Sequence, residues 1–209
     1  MKYIKSLEEV IKARRSVRRF KSDLIPKEVI QKIVASALYA PSGGEPDTEP
    51  RKIYVLSQNS DILNLTKQLL VTKIKKNSKA LSILLFVLPF LKPKMQAFSN
   101  KLRIMAEVGI PSLEVAPYFI IIAQKKVFPP VAQLSLSHAM QNTWLSATNE
   151  DLGFQMISAT NLLSNNLELL DLLGLEKNRY ELGGCVLGYS DEDTKAPKNL
   201  DDSSSIYWV

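Results

Sequence analysis

Apolar positions recur along this chain with more than one rhythm. Leu7, Val10 and Ile11 fall three and four apart, a spacing that predicts a first helix over 7–15. Ser6, with Glu9 three positions later, has the form of a capping box and marks the start of that helix. Val29, Ile30, Ile33, Val34 and Ala37 repeat the pattern and predict a second helix over 27–39, with Pro26 at its entrance. That helix stops at Ala40-Pro41-Ser42-Gly43-Gly44, where proline and glycines favour a loop. Continuous apolar runs predict strands at 52–57, 116–124 (A-P-Y-F-I-I-I-A-Q) and 182–189. The unbroken run of the second implies burial on both faces, hence a central place in a sheet. Helices over 61–76, 95–108, 135–152 and 165–173, the last closed by Gly174, and a short strand or turn at 155–158 complete the outline.

The segment 80–91 is the most apolar helix candidate, yet Pro89 interrupts it and Lys92 and Lys94 follow. It is too short for a membrane span, which takes about 20 apolar residues. A buried helix or a mobile cap is the reading that fits, and the flanking lysines leave peripheral membrane contact open. No repeat, low-complexity tract or linker divides the sequence, so 1–209 reads as a single domain.

Composition narrows the function. With 45% hydrophobic and 23% charged residues the balance is that of a soluble globular protein. One cysteine, Cys185, permits no internal disulfide, and with the single histidine, His138, it cannot furnish a zinc site. The charged N-terminal stretch lacks a signal peptide's apolar core, so a cytoplasmic location is expected. Net charge is +6, with the basic excess before about residue 105. Such a half could meet nucleic acid, an anionic membrane surface or a phosphorylated small molecule. No helix-turn-helix, RNP or zinc-finger pattern is present, so nucleic acid is not expected as a partner. G-x-S-x-G, Walker and Rossmann glycine signatures are also absent.

Two segments remain as candidate chemistry. Arg14, Arg15, Ser16, Arg18 and Arg19 put five donor-rich side chains into six positions. A guanidinium fork donates two parallel hydrogen bonds to phosphate, but cations also suit the C-terminal end of a helix dipole. Both readings stay open on composition. In the 40–44 loop, Gly43 and Gly44 would let backbone N–H groups approach a ligand. His138 reads as a surface or structural histidine, Cys185 as an inert strand thiol and Trp144 as core.

The order of these segments resembles the nitroreductase family. R-R-S-V-R-R-F, a helix, A-P-S-G-G and then a strand is how members of that family begin. A-P-Y-F-I-I-I-A at 116–123 is similar to its central strand, G-F-Q-M-I at 153–157 to its flavin-contacting segment, and L-G-G-C-V-L-G-Y at 182–189 to its last core strand. K-A-P-K-N at 195–199 is similar to the basic patch before its C-terminus; about 60–112 has no clear counterpart and would be a variable helical cap. The resemblance implies an α+β fold, a mixed central β-sheet wrapped by helices, in a homodimer with FMN in two clefts between the subunits. It implies that Arg14, Arg15, Ser16 and Arg18 hold the flavin phosphate and ribityl chain, with Lys198, or Lys195, completing the phosphate site. Pro41, Ser42 and Gly43 would lie against the ring from the partner subunit, and Met156, Ile157 and Ser158 would bring backbone to its reactive edge.

The family usually follows A-P-S with N-x-Q-P-W; the nearest match here is Asp47-Thr48-Glu49-Pro50-Arg51, after a two-residue insertion. Asparagine can donate to a ring carbonyl, whereas ionised Asp47 only accepts, and its charge would disfavour an anionic reduced flavin. Either Arg51 offsets that charge or the loop turns outward. The implied activity is transfer of electrons from NADH or NADPH, through FMN, to a small planar acceptor such as a nitroaromatic or quinone, by a ping-pong mechanism. No acid–base side chain is required, so no catalytic residue is assigned. Two alternatives stay open: a flavin-dependent oxidase or dehydrogenase on the same fold, and a flavin-free binding or regulatory protein.

Overall fold

The computed structural model describes residues 6–43, 50–193 and 207–208. Seven α-helices and four strands are formed among them: α1 (Leu7–Ala13), α2 (Lys27–Ala35), β1 (Arg51–Ser57), α3 (Asp61–Val87), α4 (Lys92–Val108), α5 (Pro111–Val115), β2 (Tyr118–Lys125), α6 (Ala132–Asn149), β3 (Gly153–Ile157), α7 (Leu167–Leu172) and β4 (Tyr180–Gly188). Short 3-10 turns at Ser36–Tyr39, Pro89–Leu91 and Ser158–Leu163 join some of them.

The strands form one sheet in the order β1-β2-β4-β3, each neighbouring pair antiparallel. Its mixed character comes from one isolated parallel bridge, Ser16 to Phe154, at the β3 edge. β2 is interior, as its apolar run predicts, and Phe119 to Ala123 are fully buried. Alternation sends Phe119, Ile121 and Ala123 into one core cluster and Ile120 and Ile122 into another. The first cluster is covered by the start of α3, the end of α4, α5, α7 and the 158–163 turn. The second is covered by α2 and α6. Each face therefore carries its own helical layer, as a sheet apolar on both sides requires.

Local signals account for many boundaries. The Ser6 and Glu9 capping box forms with both reciprocal bonds, 3.2 Å from Glu9 N to Ser6 Oγ and 2.7 Å from Ser6 N to Glu9 Oε2. Ser60 and Asn166 cap α3 and α7 in the same manner, accepting from Leu63 N and Leu169 N. Gly174 follows α7 with φ of 61°, the left-handed conformation that glycine adopts without a Cβ clash.

Two expectations change. α1 ends at Ala13, so Arg14 and Arg15 lie beyond it. α3 continues from the expected basic helix straight through 77–87, and much of the apolar segment is exposed rather than buried: Phe86 is 83% and Phe90 70% accessible. Leu70, Ile74, Leu81 and Leu85, spaced by fours and a seven, are the buried stripe of one continuous helix. No single described helix is long and apolar enough to cross a membrane.

Close packing on β4 depends on residues without side chains. A Cβ on Gly183 would lie 2.8 Å from Met140 Cε on α6, and one on Gly184 would lie 2.3 Å from Thr160 Oγ1 and 2.6 Å from the Phe119 ring. The sheet thus admits a helix on one face and the 158–163 turn on the other only at these positions. Gly184→Val should overpack a core with no room to shift and cost about 3 kcal/mol. Urea unfolding of the purified variant, compared at unchanged slope, measures it; a midpoint equal to wild type would contradict the packing described.

Candidate functional site

The basic turn is held against the β3 edge by backbone. Ser16 bridges Phe154, and Val17 N donates to Phe154 O at 3.0 Å. The turn therefore lies against the start of β3, Val17 and Phe20 packing on Gly153, and Met156 and Ile157 follow Phe154 two and three positions along the same edge strand. Met156 and Ser158 are exposed, while the Ile157 side chain is buried in the core and leaves only its backbone to offer. The two predicted groups, 14–18 and 156–158, therefore share one edge of the sheet.

The arginines of the turn divide their work. Arg14 stacks over the Trp144 ring at 4.0 Å from its centroid, and Trp144 stacks in turn on Phe154, with ring centroids 4.8 Å apart. The Trp144 indole donates to Arg15 O at 3.2 Å. Trp144 is thus half-buried support for the turn rather than plain core. Arg15 folds back, donating from Nη1 to Lys12 O at 2.8 Å and to Arg14 O at 2.5 Å. Those carbonyls end α1, so Arg15 acts there as a helix terminator. The Arg14 and Arg18 side chains form no ion pair among the described residues, though the Arg18 charge helps to lower the Glu192 pKa.

An acidic partner, not foreseen, sits on the backbone of the turn. Glu192 Oε1 accepts from Arg18 N at 2.5 Å and Arg19 N at 3.4 Å, and Oε2 lies 3.6 Å from Arg19 Nε. These backbone donors, foremost that of Arg18, with the Arg19 charge, hold the Glu192 carboxyl below its ordinary pKa. The backbone anion position of the turn is already filled, so a second anion would be met by the Arg14 and Arg18 side chains.

The Pro41-Ser42-Gly43 loop lies elsewhere, at the far end of α6 and the β1 edge. Arg51, the first residue of β1, is 1% accessible and reaches beneath it. Its Nε donates to Gln124 Oε1 at 2.9 Å, Nη1 to Ala37 O and to Ala40 O at 2.8 Å, and Nη2 to Pro41 O at 3.1 Å. The guanidinium thereby terminates α2 and its 3-10 extension and ties down the loop. Burial lowers its pKa from the ordinary guanidinium value. The Arg51 guanidinium thus turns inward; Asp47, Lys195 and Lys198 lie outside the described residues.

Gln124, also buried, completes the loop's support by donating to Ser42 Oγ at 3.1 Å and Pro50 O at 2.9 Å. Gly43 N donates to Ser135 Oγ at 3.2 Å, and a Cβ on Gly43 would stand 2.4 Å from Val131 Cγ2. Glycine at 43 thus serves close packing here, with its N–H engaged internally. Ser135 and Trp144 lie nine positions apart on α6, roughly 14 Å along the helix axis. One helix consequently carries the loop at its start and the basic turn near its end.

His138 is exposed, in line with a surface role. Burial pushes the Cys185 thiol far above its ordinary pKa, so it is no nucleophile. Gln124, Ser135 and Glu192, and the buried anchoring role of Arg51, went unrecognised in the sequence because each acts through a partner distant along the chain.

Residues 11–189 match the nitroreductase family model. The chain belongs to the nitroreductase family. Among solved structures, a nitroreductase with bound FMN from Bacteroides fragilis is 21% identical with TM-score 0.72, covering 98% of this chain and 99% of that one. A nitroreductase with bound FMN from Desulfitobacterium hafniense is 22% identical, TM-score 0.70, over 99% and 100% of the two chains. A BluB-like flavoprotein from Clostridium difficile is 21% identical, TM-score 0.71, over 98% and 99%. At such identities the likeness establishes the nitroreductase fold. A search of curated proteins finds no significant match.

Two outcomes follow from the polar anchors. Arg51→Met keeps volume but leaves several buried carbonyls and Gln124 without their donor, and should cost about 3 kcal/mol or more in urea unfolding. A loss below about 1 kcal/mol would mean that those hydrogen bonds are not formed in solution. Glu192 has a folded pKa below its unfolded one, so its contribution is present above the unfolded value and fades as pH falls through the folded value. Glu192→Gln should therefore lower stability near neutrality and flatten its decline on the acid side below the ordinary glutamate pKa. Melting temperatures measured across that range, with parallel curves for the two proteins, would refute the anchor.

Proposed function

We propose that this chain is an FMN-dependent oxidoreductase that takes electrons from NADH or NADPH and passes them to a small planar acceptor, such as a nitroaromatic or quinone. The observation that carries this reading is the basic turn: Arg14 and Arg18 extend from backbone pinned to Phe154, on the edge strand that runs on to Met156, and neither side chain forms an ion pair among the described residues. Two guanidiniums on one rigid turn suit a phosphate dianion. The family assignment and the FMN bound in the nitroreductases of similar fold from Bacteroides fragilis and Desulfitobacterium hafniense support it.

The donor set fits the cofactor. Arg14 and Arg18 would hold its phosphate, joined by Lys198 or Lys195, and Ser16 would face the ribityl chain while Arg15 shapes the turn. The Met156–Ser158 backbone would lie along the ring, with Pro41, Ser42 and Gly43 supplied by a second copy. The placement of the 41–43 loop and the basic turn at opposite edges of the sheet supports a cleft completed by a homodimer. Asp47 would belong to that partner-side loop. When bound, FMN would supply the hydride-accepting and hydride-donating chemistry of a ping-pong exchange, which needs no acid–base side chain. The protein would contribute position, positive potential and exclusion of water. The helices of about 60–112 would form the cap that admits the acceptor.

Purified protein should carry, or take up, a chromophore with flavin absorbance that NADH or NADPH bleaches under anaerobic conditions. Arg14→Ala and Arg18→Ala should each weaken FMN binding about 10- to 100-fold, as loss of a charged hydrogen bond predicts. Quenching of flavin fluorescence on titration reads that change. A colourless protein that leaves FMN fluorescence untouched would overturn the reading in favour of a flavin-free binding protein.

A further inference from the structure

The positive charge of the chain lies in two segments, the first 60 residues and the α3–α4 segment. Between Asp61 and Glu107 there is no acidic residue, and nine lysines and arginines lie in that interval. Outside 61–108 the chain holds 18 of the 27 cations and 19 of the 21 acids, so the rest is close to neutral, its basic start balanced by an acidic second half. These two helices pack along each other as a hairpin, bent by 112° at the break near Leu88. Its base belongs to the core, through Leu63, Leu70, Ile74 and Ala106. Its tip contributes no residue to either core cluster.

That tip presents apolar side chains outward. Ile83 is 56%, Phe86 83%, Val87 64% and Phe90 70% accessible. Around them Lys75, Lys76, Lys79, Lys92 and Lys94 are all exposed. Lys76, Lys79, Ile83, Phe86 and Val87 fall at intervals of three and four, so the cations lie on the same helical flank, about two to three turns below the apex.

We propose that the α3–α4 tip docks onto an anionic lipid bilayer, Phe86 and Phe90 entering the headgroup and acyl boundary while the lysine collar meets lipid phosphates. An apolar apex ringed by one sign of charge is the chemistry of interfacial membrane binding. A polynucleotide would use the cations but leave the phenylalanines in water. A second copy meeting tip to tip would bring two lysine collars together. Spanning is excluded by the same residues that anchor the base, since a broken span would draw Leu63, Leu70 and Ile74 out of the core. Docking uses none of the residues assigned to hold the flavin, although the tip belongs to the 60–112 segment read above as the acceptor cap.

The test is co-sedimentation of the full chain with vesicles of phosphatidylcholine alone and of an equimolar phosphatidylcholine–phosphatidylglycerol mixture. Binding to the anionic vesicles should exceed that to neutral ones at least about tenfold and should weaken as salt screens the collar. Phe86→Ser with Phe90→Ser should lower partitioning about tenfold or more, with an unchanged circular-dichroism melt since both side chains are exposed. Lys92→Gln with Lys94→Gln should lower it about fivefold per lysine, independently of the apolar change. The proposal fails if wild type stays in the supernatant with both vesicles, or if the phenylalanine variant sediments as wild type does. It also fails if sedimentation velocity shows wild type associated through the tip and the phenylalanine variant dissociated, which would assign the surface to a second copy.

Discussion

The architecture rests on one constraint: β2 and β4 are apolar on both faces, so the sheet must be covered twice. Ile120 and Ile122 call for α2 and α6, while Phe119 and Ile121 call for the start of α3, α7 and the 158–163 turn. Neither layer could approach closely without Gly183 and Gly184, whose missing side chains face Met140 and Thr160. Helix α6, once seated, fixes everything that bears on chemistry. Its Ser135 receives the Gly43 N–H, and its Trp144 receives the Arg14 guanidinium and donates to Arg15 O.

This layout separates the candidate residues into two sets that a single copy does not unite. The basic turn and Met156–Ser158 share the β3 edge, and the Pro41–Gly43 loop is fastened by Arg51 at the β1 edge, three strand spacings or roughly 14 Å away across the sheet. Such a separation gives physical content to the proposal of a shared cleft, since two copies related by a twofold axis can oppose the edges that one copy holds apart.

Much of the fold was legible because its determinants are local. The Ser6 and Glu9 box, the helical stripe of α2 and the unbroken run of β2 are readable within a few residues, and each element formed near its expected place. The order of the basic turn, the A-P-S-G-G loop and the apolar strands also sufficed for the family. What escaped was non-local. A segment apolar all round shows no face, so the stretch 80–87 gave no sign that it continues α3 with one side exposed. Trp144 passed for core because its partner Arg14 is distant in sequence.

Arg51 shows how a departure from a family pattern can be compensated within the protein. It stands where the resemblance leads one to expect tryptophan after Pro50, and a lone arginine at a strand start ordinarily reads as solvated. Here it is buried and surrounded by oxygen: Gln124 and the carbonyls of Ala37, Ala40 and Pro41. An aromatic ring could pack beneath that loop, but it could not supply several diverging donors to carbonyls left over at the end of the 36–39 turn. Those carbonyls, together with the amide of Gln124, make a polar socket that only a forked donor fills. The loop that the flavin reading assigns to the partner's ring is thus positioned by charge-assisted hydrogen bonds rather than by aromatic packing. Its stiffness then depends on the desolvated guanidinium keeping its proton, which the high intrinsic basicity of arginine secures even when burial lowers the pKa.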